Sequence, residues 1–328
     1  MPLFAANHGS YPRIGDQPEH QVLRRTIAQR DRGEKGEADV QAAEDRMTEL
    51  ALRDQLEAGV DVVTDGLIRW NDPVSHLAGK LSGVRVNGLL RFFDTNFYFR
   101  QPLVYSSISR TQPLIIDEFK FAQTKSSRPV KPVLTGPYTL ARHSLIENSA
   151  TRRLENLLSD YAEALGAEIA ALAAEGAALI QVDEPSLLAY PEDLSLVAES
   201  VHKLAAQKGA AQLILSVYFG NPTALYERLQ TLAVDALALD FTYNPKLIDM
   251  LAVGSSKMLF AGLLDGRNTR LEDASTLART VEKVMKASRN QTAYLTPSCG
   301  LEYLPRDRAC LKLKLAVTVK KMIEGSGA

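Results

Sequence analysis

A short apolar run that ends in two acids and a proline is the most constraining feature of this chain. Residues 177–182 are apolar apart from one glutamine, and Asp183, Glu184 and Pro185 follow them directly. The run is too short for a helix. A buried parallel strand has this appearance when it delivers side chains to the edge of a sheet. The pattern therefore predicts a strand with two carboxylates at its carboxyl end.

The same layout recurs along the chain. Short strands that close in polar or turn residues are predicted at Leu3–Asn7, Val60–Thr64, Val130–Thr135, Ala178–Val182, Gln212–Ser216, Ala236–Leu239, Met258–Leu264 and Ala293–Thr296. Helical patterns lie between them, at Val40–Ala58, Thr151–Glu175, Leu194–Lys208, Thr223–Ala233, Pro245–Leu251, Leu271–Ala287 and Arg306–Ile323. Alternating strands and helices predict a parallel sheet, and eight strands predict closure into a (β/α)8 barrel, the TIM barrel fold. We expect residues 1–328 to form one such domain.

One region, residues 84–128, does not fit this regular repeat. It contains Leu89–Tyr105, which alternates in places, and a second extended run at Leu114–Phe121. A β-hairpin insertion after the second barrel strand is the expected structure. Its aromatic residues are Phe92, Phe93, Phe97, Tyr98, Phe99 and Tyr105. They fit a small core beneath the insertion, a cap over the barrel that stacks on a flat ligand, or a surface for self-association into a homo-oligomer.

Composition excludes several classes of function. The formal net charge is −1, so no overall basic character favours nucleic acid or a membrane surface. No stretch approaches the roughly 18 apolar residues of a membrane span, and the first residues lack the pattern of a signal peptide. Two cysteines are too few for a disulfide framework. We therefore expect a cytoplasmic enzyme that acts on a small molecule.

Polar residues follow every predicted strand, and in such a barrel the active site lies at the carboxyl ends of the strands. In chain order they are His8 and Ser10, Asp65, Thr135, Asp183 and Glu184, Ser216 and Tyr218, Asp240, Asp265 and Arg267, and Ser298 and Cys299. Packing alone does not explain a complete polar ring. Singly, an aspartate here also fits a helix N-cap, an alternative that stays open for Asp65 and Asp265. Cys310 lies in an apolar helical pattern and is expected to be structural.

Five motifs carry a resemblance to a known family. They are Gly9-Ser10-Tyr11-Pro12-Arg13, Thr64-Asp65-Gly66 with Arg69-Trp70-Asn71-Asp72, Leu134-Thr135-Gly136-Pro137-Tyr138-Thr139, Ile180-Gln181-Val182-Asp183-Glu184-Pro185, and Pro297-Ser298-Cys299-Gly300-Leu301. In this order they resemble the C-terminal catalytic barrel of cobalamin-independent methionine synthase. The resemblance covers the chain from Gly9 to about Met322. It is similar to the short members of the family that have a single barrel.

The resemblance implies methyl transfer to a thiol such as homocysteine, with methyltetrahydrofolate or methylcobalamin as the donor and, for the latter, a corrinoid protein as a possible partner. In the family a zinc ion binds the thiol as thiolate. Cys299 matches one zinc ligand, and Asp240 stands where the family has a glutamate ligand. Ser10 and Asp183 match positions that contact the substrate.

Several positions depart from the family pattern. Where the family has His-x-Cys as zinc ligands, this chain has Ser216 and Tyr218, neither of which is a usual zinc ligand. Leu67 stands at the position of a glutamate that helps to hold the amino acid. Arg267 stands at the position of the histidine that protonates folate; arginine is a poor proton donor and would suit an anionic substrate group.

Three hypotheses remain open from the sequence. The first is a methyltransferase of the methionine synthase type, and the third is a barrel that binds a ligand without turnover. The second is a divergent enzyme without zinc, which uses Asp183, Asp240, Tyr218 and Arg267 on a different small anionic substrate. The predicted catalytic residues are Asp183, Tyr218 and Arg267, and the predicted metal ligands are Cys299 and Asp240. The predicted substrate-binding residues are His8, Ser10, Asp65, Glu184 and Ser216.

Overall fold

The structure, a computed structural model, describes residues 2–147, 153–288 and 292–326. Its strands are β1 Leu3–Ala5, β2 Ser82–Arg91, β3 Tyr98–Ser109, β4 Val133–Thr135, β5 Leu145–Ile146, β6 Leu179–Asp183, β7 Gln212–Val217, β8 Ala236–Asp240, β9 Met258–Leu264 and β10 Ala293–Pro297. Its α-helices are α1 Val22–Asp31, α2 Glu37–Ala58, α3 Ser75–Ala78, α4 Ile116–Lys125, α5 Pro137–His143, α6 Leu154–Ala174, α7 Ser186–Ala189, α8 Leu194–Ala205, α9 Tyr226–Leu229, α10 Leu247–Met250, α11 Ala274–Ala287 and α12 Arg306–Ser326. Single 3-10 turns lie at Pro18–Gln21, Pro191–Asp193, Thr223–Leu225 and Leu251–Val253.

Seven parallel strands form the central sheet, in the order β1-β10-β9-β8-β7-β6-β4. The predicted strand at Val60–Thr64 is reduced to two residues. Val62 pairs with Ala6 beyond β1, and Val63 pairs with Val130 before β4, both in parallel. These two bridges join the edges of the sheet and close it into the predicted (β/α)8 barrel.

Alternation along the strands separates two hydrophobic cores. In β8, Leu237 and Leu239 belong to the large core between the sheet and the helices, whereas Ala236 and Ala238 belong to a second cluster made of strand residues. This second cluster fills the barrel because successive strand residues point to opposite faces. Within this second cluster the rings of Phe260 and Tyr294 stack on each other, with a ring-centroid distance of 4.0 Å.

The insertion after the second strand forms the predicted hairpin, in which β2 and β3 pair antiparallel and β5 adds to β3 in parallel. The prediction of a second extended run at Leu114–Phe121 was wrong, because α4 begins at Ile116. The carboxylate of Glu168 accepts the backbone N–H groups of residues 114, 115 and 116 at 3.0, 2.6 and 3.2 Å, which satisfies the free donors of a helix start. Phe119 and Ala122 then face the core.

Two helix predictions were much longer than the helices found. The segment Thr223–Ala233 forms only a 3-10 turn and α9, and Pro245–Leu251 is reduced to α10 followed by a 3-10 turn. Just beyond α9, the hydroxyl and the backbone N–H of Thr231 both donate to the backbone oxygen of Arg228, at 2.8 and 3.1 Å. The prediction at Thr151–Glu175 begins outside the described residues and continues as α6. No helix in the described part of the chain is long and apolar enough to span a membrane.

Candidate active site

A cavity of about 90 Å³ lies at the carboxyl ends of the barrel strands. Four of the predicted site residues line it, namely His8, Ser10, Asp183 and Tyr218. The other lining residues are Tyr11, Arg13, Gly66, Leu67, Trp70, Asn71, Asp72, Pro73, Phe92, Phe97, Thr135, Gly300, Glu302 and Tyr303. The cavity is therefore largely aromatic and apolar, with a few titratable groups, which is the usual composition of a small-molecule site.

Asp183 ends β6 and is the central carboxylate of the cavity. One oxygen, Oδ1, accepts a hydrogen bond of 2.7 Å from the side-chain amide of Gln181, and Oδ2 accepts one of 3.2 Å from the hydroxyl of Tyr218. Burial raises the pKa of Asp183 to about 6, although the hydrogen bonds and the charge of Lys131 oppose this shift. Asp183 is thus held in one orientation and is anionic at neutral pH.

His8 and Tyr218 flank this carboxylate as uncharged groups. The Nε2 atom of His8 lies 3.1 Å from the hydroxyl oxygen of Ser216, and its ring meets the Tyr218 ring edge-on with a centroid distance of 5.3 Å. Burial and the nearby Lys131 lower the pKa of His8 well below its ordinary value. Burial and the charge of Asp183 raise the pKa of Tyr218 well above its ordinary value. At pH 7 the imidazole is therefore neutral and the phenol keeps its proton.

Lys131 was not among the predicted site residues, although it binds the backbone of His8 and acts on Asp183 through its charge. Its side chain is fully buried, and its Nζ donates at 2.6 Å to the backbone oxygen of His8 and also to the side-chain oxygen of Gln181. Burial lowers the pKa of Lys131 to about 7, opposed by the charge of Asp183. The sequence did contain a signal, because a lysine inside the predicted buried strand Val130–Thr135 needs a polar partner.

Glu302 is another carboxylate of the cavity, and it was also missed. It follows β10 in the loop that begins at Ser298. Burial raises the pKa of Glu302 to about 7, and the charge of Asp183 acts in the same direction. Residue 302 directly follows the last family motif, so the signal lay one residue beyond the part of the sequence that matched.

Two predicted substrate-binding carboxylates lie outside the lining of the cavity. Glu184 is fully buried, and its oxygens accept the backbone N–H groups of Tyr138 and Thr139 at 2.9 and 2.7 Å at the start of α5. It therefore stabilises the positive end of that helix. Asp65 accepts the backbone N–H of Leu67 at 3.1 Å and so fixes a turn rather than reaching the cavity.

Arg267 also points away from the cavity. Its Nη2 lies 3.1 Å from Oδ2 of Asp94 in the hairpin, and its guanidinium covers the rings of Phe219 and Tyr243 at 5.1 and 5.8 Å. Asp265 accepts the backbone N–H of Arg267 at 2.9 Å and so fixes a turn, whereas the N-cap of the next α-helix, α11, is Asp273. Arg267 thus connects the barrel with the insertion.

The aromatic hairpin both forms a small core and walls the cavity. Phe92 is buried and contacts Phe93, Phe99 and Phe219, with ring-centroid distances of 4.7, 6.2 and 6.3 Å. Phe92 and Phe97 also line the cavity. The predicted core beneath the insertion is therefore present, and it shares a face with the cavity.

The predicted metal ligands do not form a metal site. The Cys299 thiol is buried and lies 3.5 Å from the backbone oxygen of Gly300, and burial followed by the charges of Glu302 and Asp240 raises the pKa of this thiol well above its ordinary value. The Oδ1 atom of Asp240 accepts the backbone N–H and the hydroxyl of Thr242, at 2.8 and 2.7 Å.

The neighbouring side chains do not supply the missing ligands. The Ser216 hydroxyl lies against His8, and the Tyr218 hydroxyl donates to Asp183. Among residues 2–147, 153–288 and 292–326, no group of three or more histidine, cysteine, aspartate or glutamate side chains could hold a metal ion. The residues present therefore do not fit the zinc ion that the resemblance implies.

A closed parallel barrel with coupled titratable groups at the carboxyl ends of its strands defines the chain as a barrel enzyme. The family described as "Cobalamin-independent synthase, Catalytic domain" matches residues 6–322, and the chain belongs to this family. It is thus an enzyme of the methionine synthase type, which sets aside the hypothesis of a barrel that only binds.

Relatives agree with this assignment over nearly the whole chain. A methionine synthase of Saccharolobus solfataricus is 32% identical over 314 residues, which cover 94% of this chain and 93% of the relative. One from Sulfurisphaera tokodaii is 31% identical and covers 94% of this chain and 91% of the relative. A solved B12-independent methionine synthase from Shewanella sp. W3-18-1, in complex with selenomethionine, has a TM-score of 0.85 at 20% identity and covers 99% of both chains. The last similarity supports the fold.

Proposed function

We propose that this enzyme transfers a methyl group to the thiol of a small amino acid such as homocysteine. The observation that carries the proposal is Asp183, an oriented and anionic carboxylate in the wall of a small, largely apolar cavity. Such a carboxylate would pair with the substrate ammonium, while the apolar wall would accept the thioether product. The Shewanella relative in complex with selenomethionine supports an amino acid of this kind.

His8 and Ser10 would complete the site. Ser10 lines the cavity and would hydrogen-bond the substrate, while the neutral imidazole of His8 would take the thiol proton as the sulfur attacks. In this step the S–H bond breaks, the methyl–donor bond breaks, and the S–CH3 bond forms. Tyr218 would keep Asp183 in place through its 3.2 Å hydrogen bond.

The methyl donor would be methylcobalamin or a methylfolate, and we favour the corrinoid. A folate amine leaves readily only when it is protonated, whereas reduced cobalt leaves without a proton. Arg267, at the position of the family's proton donor, is permanently charged and bound to Asp94. The chain therefore lacks the expected acid for folate, and a corrinoid protein would be the partner that delivers the methyl group.

A second candidate follows from the metal ligands, which do not fit zinc. In this alternative the enzyme does not methylate a thiol. It acts on another small anionic substrate through Asp183, Asp240, Tyr218 and Arg267. Only Asp183 and Tyr218 of these four line the cavity, so the geometry favours the first candidate. We further propose that residues 1–328 act as one barrel domain in the cytoplasm.

The test is methyl transfer from labelled methylcobalamin or methyltetrahydrofolate to homocysteine, with methionine measured by mass spectrometry. Loss of a charged hydrogen bond costs about 1.5–3 kcal/mol, so Asp183→Asn should lower kcat/KM by roughly 10- to 150-fold. Asp235→Asn is the matched control, because this aspartate lies at the opposite end of the barrel, where it binds the backbone N–H of Leu213 at 2.7 Å. The absence of methionine formation with either donor would instead favour the second candidate.

A further inference from the structure

One carboxylate oxygen in the cavity has no partner. The Oε2 atom of Glu302 is buried and makes no hydrogen bond within the described part of the chain. The neighbouring Tyr303 side chain favours the ionised form of this carboxyl and so opposes the effect of burial on its pKa. A buried acceptor left unpaired is costly, and in a ligand cavity it marks a place where a ligand donor is expected.

Gly300 shows which space this oxygen faces. A Cβ atom at position 300 would collide with both the hydroxyl oxygen of Ser10 and the Oε2 atom of Glu302. The two oxygens therefore converge on one small space that exists only because residue 300 is a glycine. Ser10 is already a candidate substrate contact, which places Glu302 beside the same part of the substrate.

Three carboxylates line the cavity, and one of them, Asp72, already accepts the backbone N–H groups of Val74 and Arg100 at 2.9 and 3.2 Å. Asp183 and Glu302 are close enough for the charge of one to raise the pKa of the other. Arg13 also lines the cavity, but its Nη1 donates to the backbone oxygen of Trp70 at 2.9 Å. In the described part of the chain, the side chains that act on the carboxyl of Glu302 are Tyr303 and Asp183, and neither of them is a lysine, arginine or histidine. A cationic group brought by the substrate would relieve this repulsion.

We propose that Glu302 and Asp183 together form a two-carboxylate subsite for the ammonium group of the substrate, with the Ser10 hydroxyl at its edge. The inference rests on the proposed function and names the group by which the substrate is held. Leu67 lines the same cavity at the position where the family resemblance places a glutamate. Glu302 lies in the loop after β10 and would thus supply the carboxylate that is missing at the position of Leu67.

The subsite has a consequence for pH dependence. Because the pKa of Glu302 is about 7, much of this carboxyl is protonated at neutral pH in the free enzyme. Pairing with an ammonium requires the ionised form, so binding releases a proton. Ammonium ligands should therefore bind more tightly as the pH rises from about 6 to 8, and Glu302→Gln should flatten this rise.

Calorimetric titration with three probes tests the proposal. L-Methionine and 3-(methylthio)propylamine carry the ammonium group, and 4-(methylthio)butanoate lacks it. We expect Glu302→Gln to weaken binding of both amines at least tenfold at pH 8 and to leave binding of the butanoate unchanged. Glu302→Asp should restore part of the amine affinity. Glu272→Gln is the matched control, because Glu272 also has a partnerless buried oxygen but lies outside this cavity.

The outcomes separate the subsite from the proposed reaction. If neither amine binds the wild-type enzyme, or if Glu302→Gln weakens all three probes equally at an unchanged melting temperature, the subsite is refuted. If the amines bind through Glu302 but no donor methylates homocysteine, the subsite stands and the proposed reaction is wrong.

Discussion

Restoring the family's zinc ligands at two positions tests whether their replacement has removed zinc binding from this barrel. The variant Ser216→His with Tyr218→Cys places an imidazole and a second thiol beside Cys299 and Asp240. We expect it to bind one zinc ion per chain, whereas the wild-type protein binds none stoichiometrically. The reason is that zinc requires deprotonated soft ligands in a closed set, and two of the four are oxygen donors here.

The cost of zinc binding in the wild-type protein can be worked from the contacts. Deprotonating an ordinary thiol at pH 7 costs about 2 kcal/mol, and burial of Cys299 adds to this cost. Ligation by Ser216 would also break its hydrogen bond of 3.1 Å to His8, worth about 1 kcal/mol, and ligation by Tyr218 would break its bond of 3.2 Å to the charged Asp183, worth about 2 kcal/mol. The combined cost of about 5 kcal/mol corresponds to roughly several thousandfold in affinity.

Zinc content after dialysis, by mass spectrometry, and competition with a chromophoric chelator are the assays. The control adds Cys299→Ala to the double variant, which should lose the metal again. The reasoning is refuted if the wild-type protein already holds one zinc per chain at submicromolar affinity and Cys299→Ala removes it.

Three further predictions concern the cavity and its wall. Tyr218→Phe removes a hydrogen bond to a charged carboxylate, worth about 1.5–3 kcal/mol, so kcat/KM should fall roughly 10- to 150-fold. The acidic limb of its pH profile should move upward as the pKa of Asp183 rises from about 6, and an unshifted limb would contradict this role. Phe92→Ala deletes a ring buried among aromatic neighbours, so the free energy of unfolding, measured by heat or urea, should fall by about 3 kcal/mol. A fall of less than about 1 kcal/mol would show that the hairpin core does not support the fold. Arg267→Ala should change the KM for the amino acid little, because its partner Asp94 is exposed; a large rise in KM would restore Arg267 as an anion-binding residue.

The barrel could be predicted from the sequence because its strands are short apolar runs that end in polar residues. The strand at Val60–Thr64 was less regular in the structure, since only Val62 and Val63 pair with neighbours. The helix at Ile116 was missed for a different reason. Its first N–H groups are satisfied by Glu168, a residue far away in the sequence, and no local pattern reveals that contact.

The candidate site was predicted less completely than the fold. Asp183 and His8 follow strands directly, so the strand pattern alone places them at the cavity. Glu184 directly follows Asp183 but turns to the start of α5, because successive residues along an extended chain face opposite sides. Lys131 lies inside a strand and Glu302 beyond one, so a search of strand ends misses both.

A structure of the enzyme with L-methionine bound tests the central claim most directly, that an amino acid is held by carboxylates in a zinc-free cavity. We predict the ammonium group between Asp183 and Glu302 and the methyl-bearing sulfur toward His8 and Tyr218. Methionine bound outside this cavity, or with its carboxylate at Arg267 and its sulfur on a metal ion at Cys299, would contradict the account.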